Sequence, residues 1–165
     1  MKKLIAFVLA LAMATVMSVT AFAADTTITQ DTTPKTGDTT VKFSVDPTYT
    51  VTIPGEVTLT YDETSSSYKG SGDITTGAVR LRLYEYIRVA VTGDFKMTSA
   101  ENAELLYTMT IGDSASAVAS GDTVATFVTS TEAQRVTLNY SAANPTYAGN
   151  YTDTLTFTIS TVLGN

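Results

Sequence analysis

This sequence predicts an all-β domain on three observations: threonine interleaved at period two with branched and aromatic residues, turn signals at short intervals, and almost no helical periodicity. The 165-residue chain holds 33 threonines, alternating with valine, isoleucine, leucine, tyrosine and phenylalanine. Side chains branched at Cβ are stiff and suit a pleated surface. Alternation of apolar and polar residues places one face in a core and the other in water.

The first stretch is an address and not part of that fold. Met1-Lys2-Lys3 begins a run without charge until Asp25, ending in the small-residue triplet Ala21-Phe22-Ala23. This is the pattern of a secretory signal peptide over residues 1–23, cleaved before Ala24. An uncleaved anchor is the competing reading, because Leu4–Val19 is apolar enough to enter a bilayer. No second apolar run follows, so no membrane span is expected after cleavage. The chain has no cysteine to carry a lipid and no Leu-Pro-x-Thr-Gly sequence near Asn165. A secreted, extracellular product is expected, held at a cell surface only by non-covalent contacts.

Residues 24–40 contain one large apolar side chain, Ile28, too little to order a segment by burial. A Thr-rich flexible leader is the plain reading. In the sharper one, Thr26–Gln30 pairs with a sheet edge on another copy and the chain self-associates.

Alternation begins at residue 41. Val41, Phe43 and Val45 form a first run, Tyr49, Val51 and Ile53 a second, and Val57, Leu59 and Tyr61 a third, separated by Pro47 and Pro54. Asp62–Asp73 is polar and reads as a loop or a poorly ordered hairpin. Val79, Leu81 and Leu83 make a fourth run, and Ile87, Val89 and Val91 a fifth, closed by Thr92-Gly93-Asp94. Arg80, Arg82 and Arg88 hold the opposite parity and should face water. Ser99–Leu106 is the one stretch expected to make a helical turn, capped by Ser99. Leu105, Tyr107, Met109 and Ile111 follow, then Val124–Val128, then Val136, Leu138 and Tyr140. In the last run Tyr151, Leu155, Phe157 and Ile159 alternate with Thr152, Thr154, Thr156 and Thr158. Eight or nine short strands predict an Ig-like Greek-key β-sandwich over residues 41–165, favoured over a closed barrel by the uneven loops.

Composition narrows the function. The 142 residues from Ala24 suit one domain with a real core. The formal charge is −6; without Lys2 and Lys3, 8 basic residues face 16 acidic ones, a net of −8. Nucleic acid is a poor partner for such a surface. Without disulfides, stability must come from apolar burial and strand pairing.

Chemistry has little to work with. The absence of histidine and cysteine removes triads, thiol nucleophiles and the usual zinc sites. Ser66-Ser67-Tyr68-Lys69 and Lys35-Thr36-Gly37 match short motifs of serine β-lactam enzymes, but in the wrong order and without a helical domain. Asp62-Glu63 and the Glu101/Glu104 pair are the acid pairs that glycoside hydrolysis would need, and both read as solvated loops. Asp113 and Asp122 are candidate calcium ligands, with turn chemistry an equal explanation. Tyr84 and Tyr86, flanking Glu85, are the candidate contacts for a sugar ring or a protein partner. The plainer reading has one of them buried and the other half-exposed. No catalytic residue, enzyme activity or cofactor is expected.

Three stretches carry a resemblance: Ser44–Pro54, Gly93–Ser99 and Ala148–Ile159. They resemble secreted surface proteins of Gram-positive, gut-type Firmicutes, and among these the WxL-type surface domain family. That family ends in a comparable Gly-x-Tyr turn and a strand bearing Trp-x-Leu; here Phe157 and Ile159 stand at those places, and the chain has no tryptophan. The resemblance implies a β-sandwich associated with cell-wall polymer. The expectation is therefore a non-catalytic secreted or cell-surface structural or adhesive protein. Its partners would be wall polymer, other surface proteins, other copies or host molecules. A stand-alone carbohydrate-binding module is the alternative.

Overall fold

A computed structural model describes residues 27–164. The expected signal peptide and residues 24–26 lie outside them. The chain divides into a unit ending at Ser44 and a unit beginning at Val45.

Residues 27–44 form no strand, and all are exposed except the half-buried Thr32. Thr32 N–H donates to the Thr29 carbonyl (3.2 Å) and Thr29 N–H to the Thr32 hydroxyl (2.9 Å). The chain thus turns at Thr29–Thr32, and Thr26, the first residue of the segment expected to pair with another copy, lies outside the described residues.

The second unit holds ten strands, and no helix occurs among the described residues. They are β1 (Val51–Thr52), β2 (Thr60–Asp62), β3 (Ser67–Thr76), β4 (Glu85–Thr92), β5 (Lys96–Ser99), β6 (Glu104–Ile111), β7 (Thr123–Phe127), β8 (Arg135–Ala142), β9 (Tyr151–Thr152) and β10 (Thr156–Leu163). The large sheet runs β1-β3-β8-β6-β5-β9, with β2 on the same β3 strand, and the small sheet runs β10-β4-β7. Every pairing is antiparallel.

The inward faces follow the period-two pattern. Ile74, Met109 and Leu138 from the large sheet meet Ile87, Val89, Val91 and Phe127 from the small one, all essentially without solvent exposure. Val124 and Ala125 are both buried because the β4–β7 register shifts between Val89 and Ala90, a bulge that turns two successive β7 side chains inward. Arg80 and Arg82 face water as expected, while Arg88 is half-buried and donates to the Thr123 hydroxyl (2.7 Å).

Several expectations are corrected. Val41, Phe43 and Val45 join no strand, and Val79–Leu83 contributes only bridges from Val79 to Ser130 and from Arg80 to Thr48. Alternation reports a chain suited to a sheet, not the presence of a neighbour. The polar stretch Asp62–Asp73, expected to be a loop or a poorly ordered hairpin, is an ordered hairpin: Asp62 ends β2 and Ser67–Asp73 opens β3, which pairs along its length with β8. Ser99–Leu106 is a tight reversal between β5 and β6 and not a helical turn. The Ser99 hydroxyl does accept from Glu101 and Ala103 N–H (both 3.2 Å), but Asn102 at φ 61° diverts the chain into antiparallel pairing. The last run splits, β9 joining β5 in the large sheet and β10 joining β4 in the small one.

Candidate functional site

β10 reads Thr-Phe-Thr-Ile-Ser-Thr-Val-Leu, with neither charge nor proline. Its register with β4 puts Phe157, Ile159 and Thr161 on the same face as Val91, Val89 and Ile87. Those three β4 residues are completely buried, yet Ile159 is 38 % exposed and Phe157 half-exposed. The reason is topological: β10 ends the small sheet and has β4 as its sole partner among the described strands.

Beside that edge lies a groove of about 730 Å³. Leu155 and Phe157 form one wall, residues 54–59 the other, and Tyr68, Tyr107 and Tyr140 lie along it from the large sheet. The wall at 54–59 exists because β3 carries glycine at two inward positions. A Cβ on Gly70 would sit 2.8 Å from the Thr58 carbonyl oxygen, and one on Gly72 would sit 3.0 Å from Pro54 and Val57. Glycine inside a strand here marks another backbone passing close by.

The crossing from β9 to β10 is fixed at one point by a hydrogen bond from the Tyr107 hydroxyl to Asp153 (2.7 Å). Burial first, and that bond second, push the Tyr107 phenol well above its ordinary range; burial also raises Tyr140. Above about pH 10 the unfolded chain gives up these protons while the folded one keeps them, so stability falls as pH rises through that point. Denaturant midpoints are expected to drop between about pH 8 and about pH 11, and to drop less in Tyr107→Phe. An equal drop in both proteins would mean that the phenol is not shielded.

The residues singled out from sequence lie elsewhere. Tyr84 is 72 % exposed at φ 66°, in a turn where Glu85 N–H donates to the Arg82 carbonyl (3.1 Å). Tyr86 is half-buried on β4, and neither tyrosine lines the groove. Asp122 accepts from Ala119 N–H (2.8 Å) in a turn, Asp113 is exposed, and no cluster of three potential metal-binding side chains occurs among the described residues. The acid pairs are tied to lysines: Asp62 to Lys69 (2.8 Å) and Glu104 to Lys96 (2.7 Å). The Lys69 ammonium, the Ser65 hydroxyl and the Thr64 N–H hold the Asp62 carboxyl well below the usual carboxylate range. Lys69, the lysine of the Ser-x-x-Lys match, is thereby occupied in the β2–β3 hairpin. No helix among the described residues is long and apolar enough to cross a membrane.

Among solved structures, the chain matches one from the CsuC–CsuE chaperone–tip adhesion subunit pre-assembly complex of the archaic chaperone-usher Csu pili of Acinetobacter baumannii. The TM-score is 0.51 at 19 % identity, over 70 % of this chain and 40 % of that one. The fold is an Ig-like β-sandwich. This sandwich thus spans less than half of the chain that it matches. A chaperone–tip adhesin complex of CFA/I fimbriae biogenesis also matches, with TM-score 0.44 and 15 % identity over 68 % of this chain and 42 % of that one. No protein-family model and no curated protein matches the chain.

The sequence reading missed the groove in this Ig-like sandwich, since its walls come from residues about a hundred positions apart. A signal was present in the glycines of β3 and in the uncharged last strand.

Proposed function

We propose that the chain is a non-catalytic secreted or cell-surface protein with a structural or adhesive role, acting through protein contacts along the free edge of β10. One observation carries the reading: an eight-residue strand with a single neighbour among the described strands, unblunted by charge or proline, stands beside a groove that has Val57, Leu59, Leu155 and Phe157 in its lining. An added strand would gain main-chain hydrogen bonds along the edge while its alternate side chains enter the groove. The fold shared with a chain from a pilus pre-assembly complex supports the reading, as does a sequence without histidine or cysteine. Cell-wall polymer, which the WxL-type resemblance implies, is a further partner compatible with it. The carbohydrate-binding alternative has less behind it. Tyr107 and Tyr140 are only 8 % and 7 % exposed, and the Tyr107 hydroxyl is committed to Asp153.

The test is the mass in solution of residues 24–165, with negative-stain images and pull-down on purified wall and on insoluble glycans. Assemblies without glycan retention are expected. A monomer that binds a glycan tightly would overturn the structural reading in favour of the carbohydrate-binding one.

A further inference from the structure

We infer that the groove beside β10 is filled by residues 41–45 of a second copy of this chain, entering as a strand antiparallel to β10. The inference rests on the edge-binding reading above and narrows it to one segment. Val41, Phe43 and Val45 are 90 %, 90 % and 46 % exposed, share one parity and pair with no described strand. Lys42 and Ser44 hold the other parity, so an added strand turns three apolar side chains inward and the ammonium to water. Of the inward row of β10, Phe157 lines the groove, and Ile159, Thr161 and Leu163 continue the same face along the strand, the last 70 % exposed. Five extended residues span about 17 Å, well within the roughly 27 Å of the eight-residue β10.

A second copy suits the groove better than the chain's own segment. Only Asp46 and Pro47 separate Val45 from Thr48, which exchanges two 2.8 Å hydrogen bonds with Arg80. Arg80 adjoins the Val79–Ser130 bridge, beyond the Ile87–Phe127 pair, and so marks the Leu163 end of β10. Leu155 and Phe157 line the groove at the other end. A segment tethered at Thr48 would therefore enter its own groove parallel to β10, whereas every pairing in both sheets is antiparallel. A second copy has no such tether. Because the donated segment and the groove are different surfaces, each copy can give to one neighbour and receive from another, and such head-to-tail contact builds a filament where the rotation between copies does not close a ring.

The experiment compares residues 24–165 with the same chain bearing Phe43→Asp, by mass in solution, negative stain and amide hydrogen exchange. It adds a fluorescent peptide of residues 39–46, titrated into the Phe43→Asp protein. Phe43 is 90 % exposed, so the substitution leaves the sandwich folded. The expected result is filaments from the parent chain and monomers from Phe43→Asp. The native peptide should bind, and a peptide carrying Phe43→Asp should bind at least about tenfold more weakly, because a carboxylate would be buried unpaired. Filaments from Phe43→Asp equal to those of the parent sink this inference and leave the edge-binding reading standing. A monomeric parent chain with protected amides at 41–45 means self-insertion and overturns the second copy. A monomeric parent chain with unprotected amides removes the edge-binding reading itself. Loss of filaments without peptide binding places Phe43 outside the groove and also overturns the inference.

Discussion

Gly70→Val is expected to destabilise the sandwich by about 1–3 kcal/mol, and to lower the urea midpoint accordingly. The strand-propensity change alone runs the other way, since valine suits a strand better than glycine does. What decides the sign is the chain that crosses Gly70. An added Cβ would meet Leu59 Cδ2 and the Thr58 carbonyl oxygen, both at 2.8 Å, and the branched γ carbons would reach further still. A leucine tip can rotate away, but a backbone oxygen moves only with its segment. The segment at 54–59 must lift, exposing Val57 and Leu59, both now packed against the core. Gly77→Ala is the control, because nothing lies within 4 Å of a Cβ there, and it is expected to stay within about 0.5 kcal/mol. Equal shifts for the two substitutions would show that residues 54–59 are not seated on β3.

Phe127→Ala carries the largest expected loss, about 3–5 kcal/mol. Phe127 is 1 % exposed, pairs with Ile87 across β4 and β7, and heads the fully buried side chains by volume. Its removal leaves a cavity between two sheets that no disulfide staples together. Against a typical total of about 5–15 kcal/mol, such a loss takes a large share of the stability. The neighbouring Val128→Ala, at 57 % exposed, should change the thermal midpoint little. A Phe127→Ala protein that melts with its parent would mean that the ring does not bridge the two layers.

Strands that carry their own inward apolar row were legible in the sequence. β4, β6 and β8 alternate cleanly because Ile87, Met109 and Leu138 each supply the side chains that fill the core beneath them. β3 escaped notice because at Gly70 and Gly72 the filling comes from Val57, Leu59 and Pro54 on another segment. Half of its apolar pattern is written some fifteen residues upstream. Residues 41–45 show the opposite case, a clean alternation without a strand beside it. Tyr84 and Tyr86 drew notice as aromatics at a junction, but a groove is set by which strand ends a sheet, and strand order is not a local property.

β4, the one partner of β10 among the described strands, was made more than sixty residues earlier in the chain. Until residues 156–163 emerge during synthesis, the small sheet is a two-stranded ribbon, too slight to hold itself together. Such a late-closing topology folds slowly, since its decisive contact spans so much intervening chain. A nascent polypeptide of this kind stays loose until its last strand arrives and locks only then.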